Sequence, residues 1–201
     1  QIVAGVLNGL KCIHNFSRPV IHNELTIQNV MLDLSSEIVV PKIIDFGHAR
    51  YIDQNFGFIK EGVNPFYTAP EAFNGIFSPQ TDLFSVGALL YHLLFGLPPY
   101  FMDLSLFQKE RILLIDAVQE GRQKPLKILD ANKFELDEQL INTIHKALSL
   151  DIDSRFKSAD EFLKALNGEI KVLKLSNEDK VNTSLVENTC VPVRKVGKGF
   201  A

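Results

Sequence analysis

His22-Asn23-Glu24-Leu25-Thr26-Ile27-Gln28-Asn29, followed sixteen residues after Asn29 by Asp45-Phe46-Gly47, decides how this chain folds. The two motifs bring two carboxylates and an amide onto neighbouring loops. Asn29 and Asp45 offer hard oxygen donors of the kind that hold Mg²⁺ against a phosphate, and Glu24 is a carboxylate able to take a proton from an attacking hydroxyl. Residues 30–34 and 38–44, rich in Val, Ile and Leu, read as two short strands bracketing a turn, which sets Asn29 and Asp45 at one edge.

Upstream, Ile2, Val3, Val6, Leu7, Leu10 and Ile13 repeat as one apolar helical face, so residues 1–16 read as a helix broken at Ser17-Arg18-Pro19. Downstream, residues 46–70 are irregular and carry Gly47, Gly57, Gly62 and Pro65; a loop of that length in a compact domain is usually functional. Residues 83–95 are apolar all round and closed by Gly96 and Pro98-Pro99. They are too short for a membrane span and read as a buried core helix. Amphipathic helices are expected over about 104–121 and 136–149, and a last one from the capping start Ser158-Ala159-Asp160-Glu161 to Asn167-Gly168. Residues 176–199 read as a linker.

The chain has 201 residues, is 46% hydrophobic and 22% charged, and carries a formal net charge of −3. This composition suits one sizeable core and argues against nucleic acid or an anionic membrane as the main partner. Cys12 and Cys190 are too isolated for a disulfide framework, which points to a reducing compartment and a cytoplasmic location. Gln1 lies at the edge of a helical pattern, and Gly197-Lys198-Gly199-Phe200-Ala201 lacks a polar stop, so the chain is expected to be a fragment of a longer protein.

These residues resemble the large, helical C-terminal lobe of a eukaryotic-type protein kinase. That family's catalytic loop is His-Arg-Asp with Asn five positions after the Asp, followed by Asp-Phe-Gly and then Ala-Pro-Glu. Here Glu24 precedes Asn29 by five, Asp45-Phe46-Gly47 is intact, and Ala69-Pro70-Glu71 closes the segment. Asp82, opening the buried helix, resembles the family's Asp that braces the catalytic-loop backbone. Arg155, in Leu150-Asp151-Ile152-Asp153-Ser154-Arg155-Phe156, resembles the Arg that pairs with the Glu of Ala-Pro-Glu.

The resemblance covers residues 1–167 and implies a mainly α fold, the C-lobe of the α+β protein-kinase-like fold, a helical bundle whose short β-hairpins carry the catalytic and metal loops. Residues 168–201 then form a linker or tail toward a further domain. Lys198-Gly199-Phe200-Ala201 resembles the lead-in to an ATPase module of the AAA type. The small lobe, with its glycine-rich loop and strand Lys, is expected upstream.

The implied function is transfer of the ATP γ-phosphate to a Ser or Thr hydroxyl of a protein substrate, with Mg²⁺. Glu24, Asn29 and Asp45 are the implied catalytic residues. Thr26, Asn29 and Asp45 border the nucleotide, and Asn29 and Asp45 hold the metal. His22, Glu71, Asp82 and Arg155 are expected to be structural; His14, His48, His92 and His145 are assigned no role.

Three residues depart from the family pattern. Glu24 replaces Asp and displaces its oxygens by about 1 Å, a misplacement that can cost about 10²-fold in rate. Thr26 replaces the Lys that would bring positive charge to the transferring phosphate, and Asn23 replaces the Arg that pairs with a phosphorylated activation segment. Asn64 also stands where Ser/Thr kinases usually have Thr. Residues 45–71 contain no Ser and offer Tyr51, Tyr67 and Thr68 as acceptors, so phosphorylation there is not expected to be the main switch. The alternatives are a pseudokinase-like binding or regulatory module and a small-molecule phosphotransferase of the aminoglycoside-kinase type, against which Ala69-Pro70-Glu71, Asp82 and Arg155 argue.

Overall fold

A computed structural model describes residues 1–54, 56, 57, 59, 62–101, 113–124, 126–128 and 136–174. The expected tail over 176–199, Cys190 and the first half, 104–112, of the expected 104–121 helix lie outside them, and within the described half the helix begins at Leu114. Among the described residues are six α-helices: α1 (Ile2–His14), α2 (Pro70–Phe73), α3 (Pro79–Phe95), α4 (Leu114–Arg122), α5 (Glu138–Ala147) and α6 (Ala159–Leu166). Four short strands complete the framework: β1 (Val20–Ile21), β2 (Val30–Asp33), β3 (Val40–Ile43) and β4 (Arg50–Tyr51).

Helix α3 is the axis. Its sequence has no polar face, and residues from Thr81 to Tyr91 are all buried. It starts earlier than the apolar run suggests, because Pro79 occupies the first turn, where no N–H is needed, and the Ser78 N–H donates to Thr81 Oγ1 at 3.0 Å. It ends at Gly96, held at φ 77°, whose N–H donates to the His92 carbonyl at 2.9 Å.

Around this axis α1 contributes Val3, Val6, Leu7 and Leu10, α5 contributes Ile144 and Ala147, and α6 contributes Phe162 and Ala165 to one core. Close approach of α3 and α5 requires Gly87, since a Cβ there would lie 2.7 Å from that of Ala147. Asp137 and Ser158 cap α5 and α6 by accepting the N–H of Leu140 at 2.6 Å and of Glu161 at 3.1 Å.

The strands form two separate antiparallel pairs. β2 and β3 make a hairpin with Val30 opposite Ile43 and Asp33 opposite Val40, shorter than the apolar runs imply at the turn end of both strands and by Ile44 at the open end of β3. β1 pairs with β4, Ile21 opposite Arg50. This second pair falls partly inside the 46–70 stretch read as irregular, because two-residue strands leave no periodicity to detect. The hairpin packs on α1, where Gly5 leaves room for the ring of Pro41.

A buried ion pair joins the far ends of the fold. Arg155, 1% exposed, donates from both terminal nitrogens to the two Glu71 oxygens at 2.7 Å each, and from Nε to the Ser149 carbonyl at 2.7 Å. Glu71 also accepts from Thr81 Oγ1 at 3.2 Å, so one carboxylate locks α2 to α3 and to the loop before α6. Replacing Arg155 with Met strands that carboxylate. The expected loss is about 3–5 kcal/mol in urea unfolding of the protein carrying this chain, and a loss below about 1 kcal/mol would contradict it.

Candidate functional site

The loop from His22 to Asn29 leaves β1 and enters β2, and its shape is set from beneath by Asp82, a fully buried carboxylate in the first turn of α3. Asp82 Oδ2 accepts the His22 N–H and Oδ1 accepts the Asn23 N–H, both at 2.8 Å. His14 Nε2 lies 2.9 Å from Oδ2 as a third partner. Two consecutive amides converge on one carboxylate because Asn23 takes φ 68°, a left-handed conformation that Asn tolerates better than most residues. The turn is an anion-binding nest with the protein's own carboxylate in it. His14, assigned no role from sequence, is therefore part of this clamp. Its i-spacing on the α1 face was the available signal, but which buried group it would meet depends on α3.

Above the clamp, His22 has its ring Nε2 3.0 Å from the Ile44 carbonyl and meets the Phe46 ring edge-on with centroids 4.8 Å apart. It holds the Asp45-Phe46-Gly47 turn against the loop, as a structural His does. Leu25 is buried beneath, and Thr26 is buried with its carbonyl accepting the Asn29 N–H at 3.1 Å. Residues Ile27–Asn29 form a single 3₁₀ turn that delivers Asn29 to the start of β2.

The hairpin register then brings Asn29 and Asp45 together. Val30 faces Ile43, and the Ile44 N–H donates to the Asn29 carbonyl at 3.0 Å, so the two motif residues leave the same end of the β2–β3 pair. Their side chains are oriented rather than free. Asn29 Nδ2 donates to the Glu24 carbonyl at 2.8 Å, which turns its amide oxygen outward as the remaining acceptor. Asp45 sits at φ 60°, and its Oδ1 accepts the Gly47 N–H at 3.0 Å while the carboxylate stays exposed. A hard oxygen from a neutral amide and a carboxylate beside it fit Mg²⁺ carrying a polyphosphate, which brings most of its own ligands. No cluster of three or more His, Cys, Asp or Glu side chains able to hold a metal is present among the described residues.

Glu24 projects from the middle of the loop, half-buried, with Oε2 3.8 Å from His48 Nε2. Asn23, in the position of the absent Arg, donates from Nδ2 to the His48 carbonyl at 3.1 Å. The residue after Asp45-Phe46-Gly47 thus meets two members of the His22–Asn29 loop, a contact that no motif announces.

The segment before Ala69-Pro70-Glu71 is tightly built. Asn64 accepts the Phe66 N–H on Oδ1 at 3.1 Å, and its carbonyl accepts from Thr68 Oγ1 at 2.8 Å and from the N–H groups of Tyr67 and Thr68 at 3.1 and 3.2 Å. Ser85 of α3 donates to the Tyr67 carbonyl at 2.8 Å, and the Tyr67 hydroxyl bonds His92 Nδ1. Burial pushes the Tyr67 phenol up to about 12. Arg122, buried at the end of α4, donates to the Pro65 and Thr68 carbonyls and was not singled out from sequence.

The comparisons with known proteins fit this geometry. A family profile described as "Protein kinase domain" matches residues 1–166. The serine/threonine-protein kinase atg1 of Dictyostelium discoideum is 29% identical over 173 residues, 86% of this chain and 23% of that protein. Calcium-dependent protein kinase 22 of Arabidopsis thaliana is 29% identical over 116 residues, 58% of this chain and 23% of its own length. The chain thus spans less than a quarter of these curated relatives. Among solved structures, the Cydia pomonella granulovirus kinase PK-1 superimposes with a TM-score of 0.63 at 20% identity, covering 82% of this chain and 58% of that one, a likeness of fold.

The clamp makes a direct prediction. In Asp82→Asn one of the two converging N–H groups meets an amide donor instead of an acceptor, at a cost of about 2 kcal/mol or more. Hydrogen exchange at the His22 and Asn23 amides is expected to accelerate selectively; protection equal to that of the unsubstituted protein would refute the assignment.

Proposed function

The chain belongs to the protein kinase family, and we propose that it is the helical C-terminal lobe of a Ser/Thr-type kinase that transfers the γ-phosphate of Mg²⁺-ATP to a protein hydroxyl. The observation that carries the reading is the convergence of Glu24, Asn29 and Asp45 on one loop edge, held by the Asp82 clamp and by the Ile44 N–H on the Asn29 carbonyl at 3.0 Å. Asn29 offers its outward amide oxygen and Asp45 its exposed carboxylate to the metal, and Thr26 borders the nucleotide. Mg²⁺, when bound, neutralises phosphate charge and fixes the transferring group.

Glu24 then orients the acceptor hydroxyl. As the hydroxyl oxygen bonds to the γ-phosphorus and the bond to the β-phosphate oxygen breaks, the hydroxyl proton passes to the Glu24 carboxylate. The longer Glu side chain lies with Oε2 3.8 Å from His48 Nε2, on a backbone fixed by the Asn29 Nδ2 donation to the Glu24 main-chain carbonyl. The acceptor peptide rests on the Asn64–Thr68 turn, which precedes the locked Glu71.

A second reading is favoured by one feature. Glu24 faces His48, and neither Thr26 nor Asn23 supplies the cation their positions usually carry, so a module that binds Mg²⁺-ATP without efficient transfer fits the same site. The full-length protein decides between them. Transfer to protein is expected with Mg²⁺-ATP, lost in Asp45→Ala and reduced about 10–10²-fold in Glu24→Gln, with nucleotide affinity kept in the latter. Nucleotide binding without transfer in the unsubstituted protein would establish the binding module, and absence of both would refute the site.

Regulation follows the same geometry. Tyr67 and Thr68 are buried, and the more open Tyr51 lies under the Arg18 guanidinium, 3.7 Å from the ring centroid. Phosphatase treatment of the active full-length protein is therefore expected to change its rate less than about twofold. A loss of an order of magnitude would show that a phosphorylated activation segment controls it.

A further inference from the structure

Arg122 is 3% exposed, and among the described residues it has no carboxylate at ion-pair distance. A guanidinium so placed is costly, and burial draws its pKa down to about 10, leaving it charged at neutral pH. Its compensation comes from backbone and rings. One nitrogen, Nη2, donates to the Pro65 carbonyl at 3.0 Å and to the Thr68 carbonyl at 2.6 Å, while Nη1 reaches Gln119 Oε1 at 3.3 Å. The guanidinium carbon lies 5.1 Å from the Phe84 ring centroid and 5.7 Å from that of Phe73. Nε is buried without a partner.

The two accepting carbonyls bracket the Pro65–Thr68 turn. A single nitrogen bridging them fixes their separation and direction, and with them the outward face of the turn. The other ties of this segment, Ser85 to the Tyr67 carbonyl and Asn64 to Thr68, act within the turn or from α3. Arg122 alone among these reaches it from α4, whose contact with the rest of the core runs through Val118 and the partly buried Leu114. From the loop side the Tyr67 hydroxyl bonds the Ile27 backbone, while the side-chain hydrogen bonds of Asn29 and Asp45 go to Glu24 and Gly47 and not to the turn.

We propose that Arg122 is a positioning residue that sets the shape of the acceptor-peptide platform from beneath, so that docking of the protein substrate, and not binding of the nucleotide, depends on the contact between α4 and the Pro65–Thr68 turn. The proposal rests on the protein-kinase reading of the site. It makes α4 a specificity element: whatever shifts this helix changes which peptides are accepted while leaving the metal edge unchanged.

The test uses the full-length protein with R122M and R122K, a panel of acceptor peptides and hydrogen exchange. R122M is expected to raise the peptide KM about tenfold or more, to leave the ATP KM within about twofold, and to accelerate exchange at the Tyr67 and Thr68 amides. R122K, whose ammonium can donate to both carbonyls from one nitrogen, is expected to return the peptide KM to within about threefold of the unsubstituted value. Equal effects on peptide and ATP KM, unchanged exchange at Tyr67 and Thr68, or R122K no better than R122M would each overturn the proposal. Should R122M fail to unfold cooperatively, R122K decides by exchange. A rise confined to residues 64–68 supports the clamp, and a rise spread through α3 overturns it. If the unsubstituted protein transfers no phosphate, the kinase reading fails by itself, and the exchange pattern alone judges whether Arg122 shapes the turn.

Discussion

The His22–Asn29 loop exists in its observed form because a buried carboxylate at the start of α3 accepts two consecutive backbone N–H groups. Asp82 cannot be left charged in an apolar core without donors, and the His22 and Asn23 amides cannot be left buried without an acceptor; each solves the other's desolvation problem. Because these are backbone donors, the interaction constrains φ and ψ at the root of the loop rather than a side chain at its tip. Everything above, from the His22 contact with Ile44 to the delivery of Asn29 at the hairpin end, inherits that geometry. His14 completes the carboxylate's coordination and ties α1 into the same centre.

Two buried guanidiniums perform the corresponding task for the segments that precede α3, by different means. Arg155 satisfies a carboxylate bidentately and thereby joins α2, α3 and the loop before α6. Arg122 satisfies carbonyls and thereby holds a turn. Removal of a buried ion-pair partner leaves a stranded charge that destabilises the whole unit, whereas loss of carbonyl contacts frees a local segment. The departures at Asn23 and Glu24 have local answers: Asn23 tolerates φ 68° and bonds the His48 carbonyl, and Glu24 lies opposite the His48 ring.

Much of this was legible from the residues. The apolar face of α1, the all-apolar α3, the amphipathic pattern of α5, the capping start of α6, and the strands flanking the Asn29–Asp45 turn all carry local signals of period or punctuation. The structural roles of His22, Asp82, Glu71 and Arg155 were also legible, through resemblance. What escaped was of two sorts. The β1–β4 pair is two residues long on each side, below the length at which alternation is detectable, and the N-terminal start of α3 was hidden by the polar run Ser78-Pro79-Gln80-Thr81. His48, His92 and Arg122 were polar residues in helices and loops with nothing local to distinguish them from solvated ones, and the spacing of His14 on the α1 face did not say which buried group it would meet.

The sequence by itself determined four of the helices, α1, α3, α5 and α6, where chemistry-bearing oxygens stand along the chain, and membership of the protein kinase family. Those properties are encoded by neighbours within a turn or two, or by motif order. Only the tertiary structure decided the partners of the buried charges: Asp82 meets amides 59 and 60 residues away, Arg155 a carboxylate 84 residues away, and Arg122 carbonyls 54 and 57 residues away. A buried polar group must be satisfied by something, but chain composition does not say by what. Helix packing around α3 makes that choice, because it alone sets which distant groups share a space from which water is excluded.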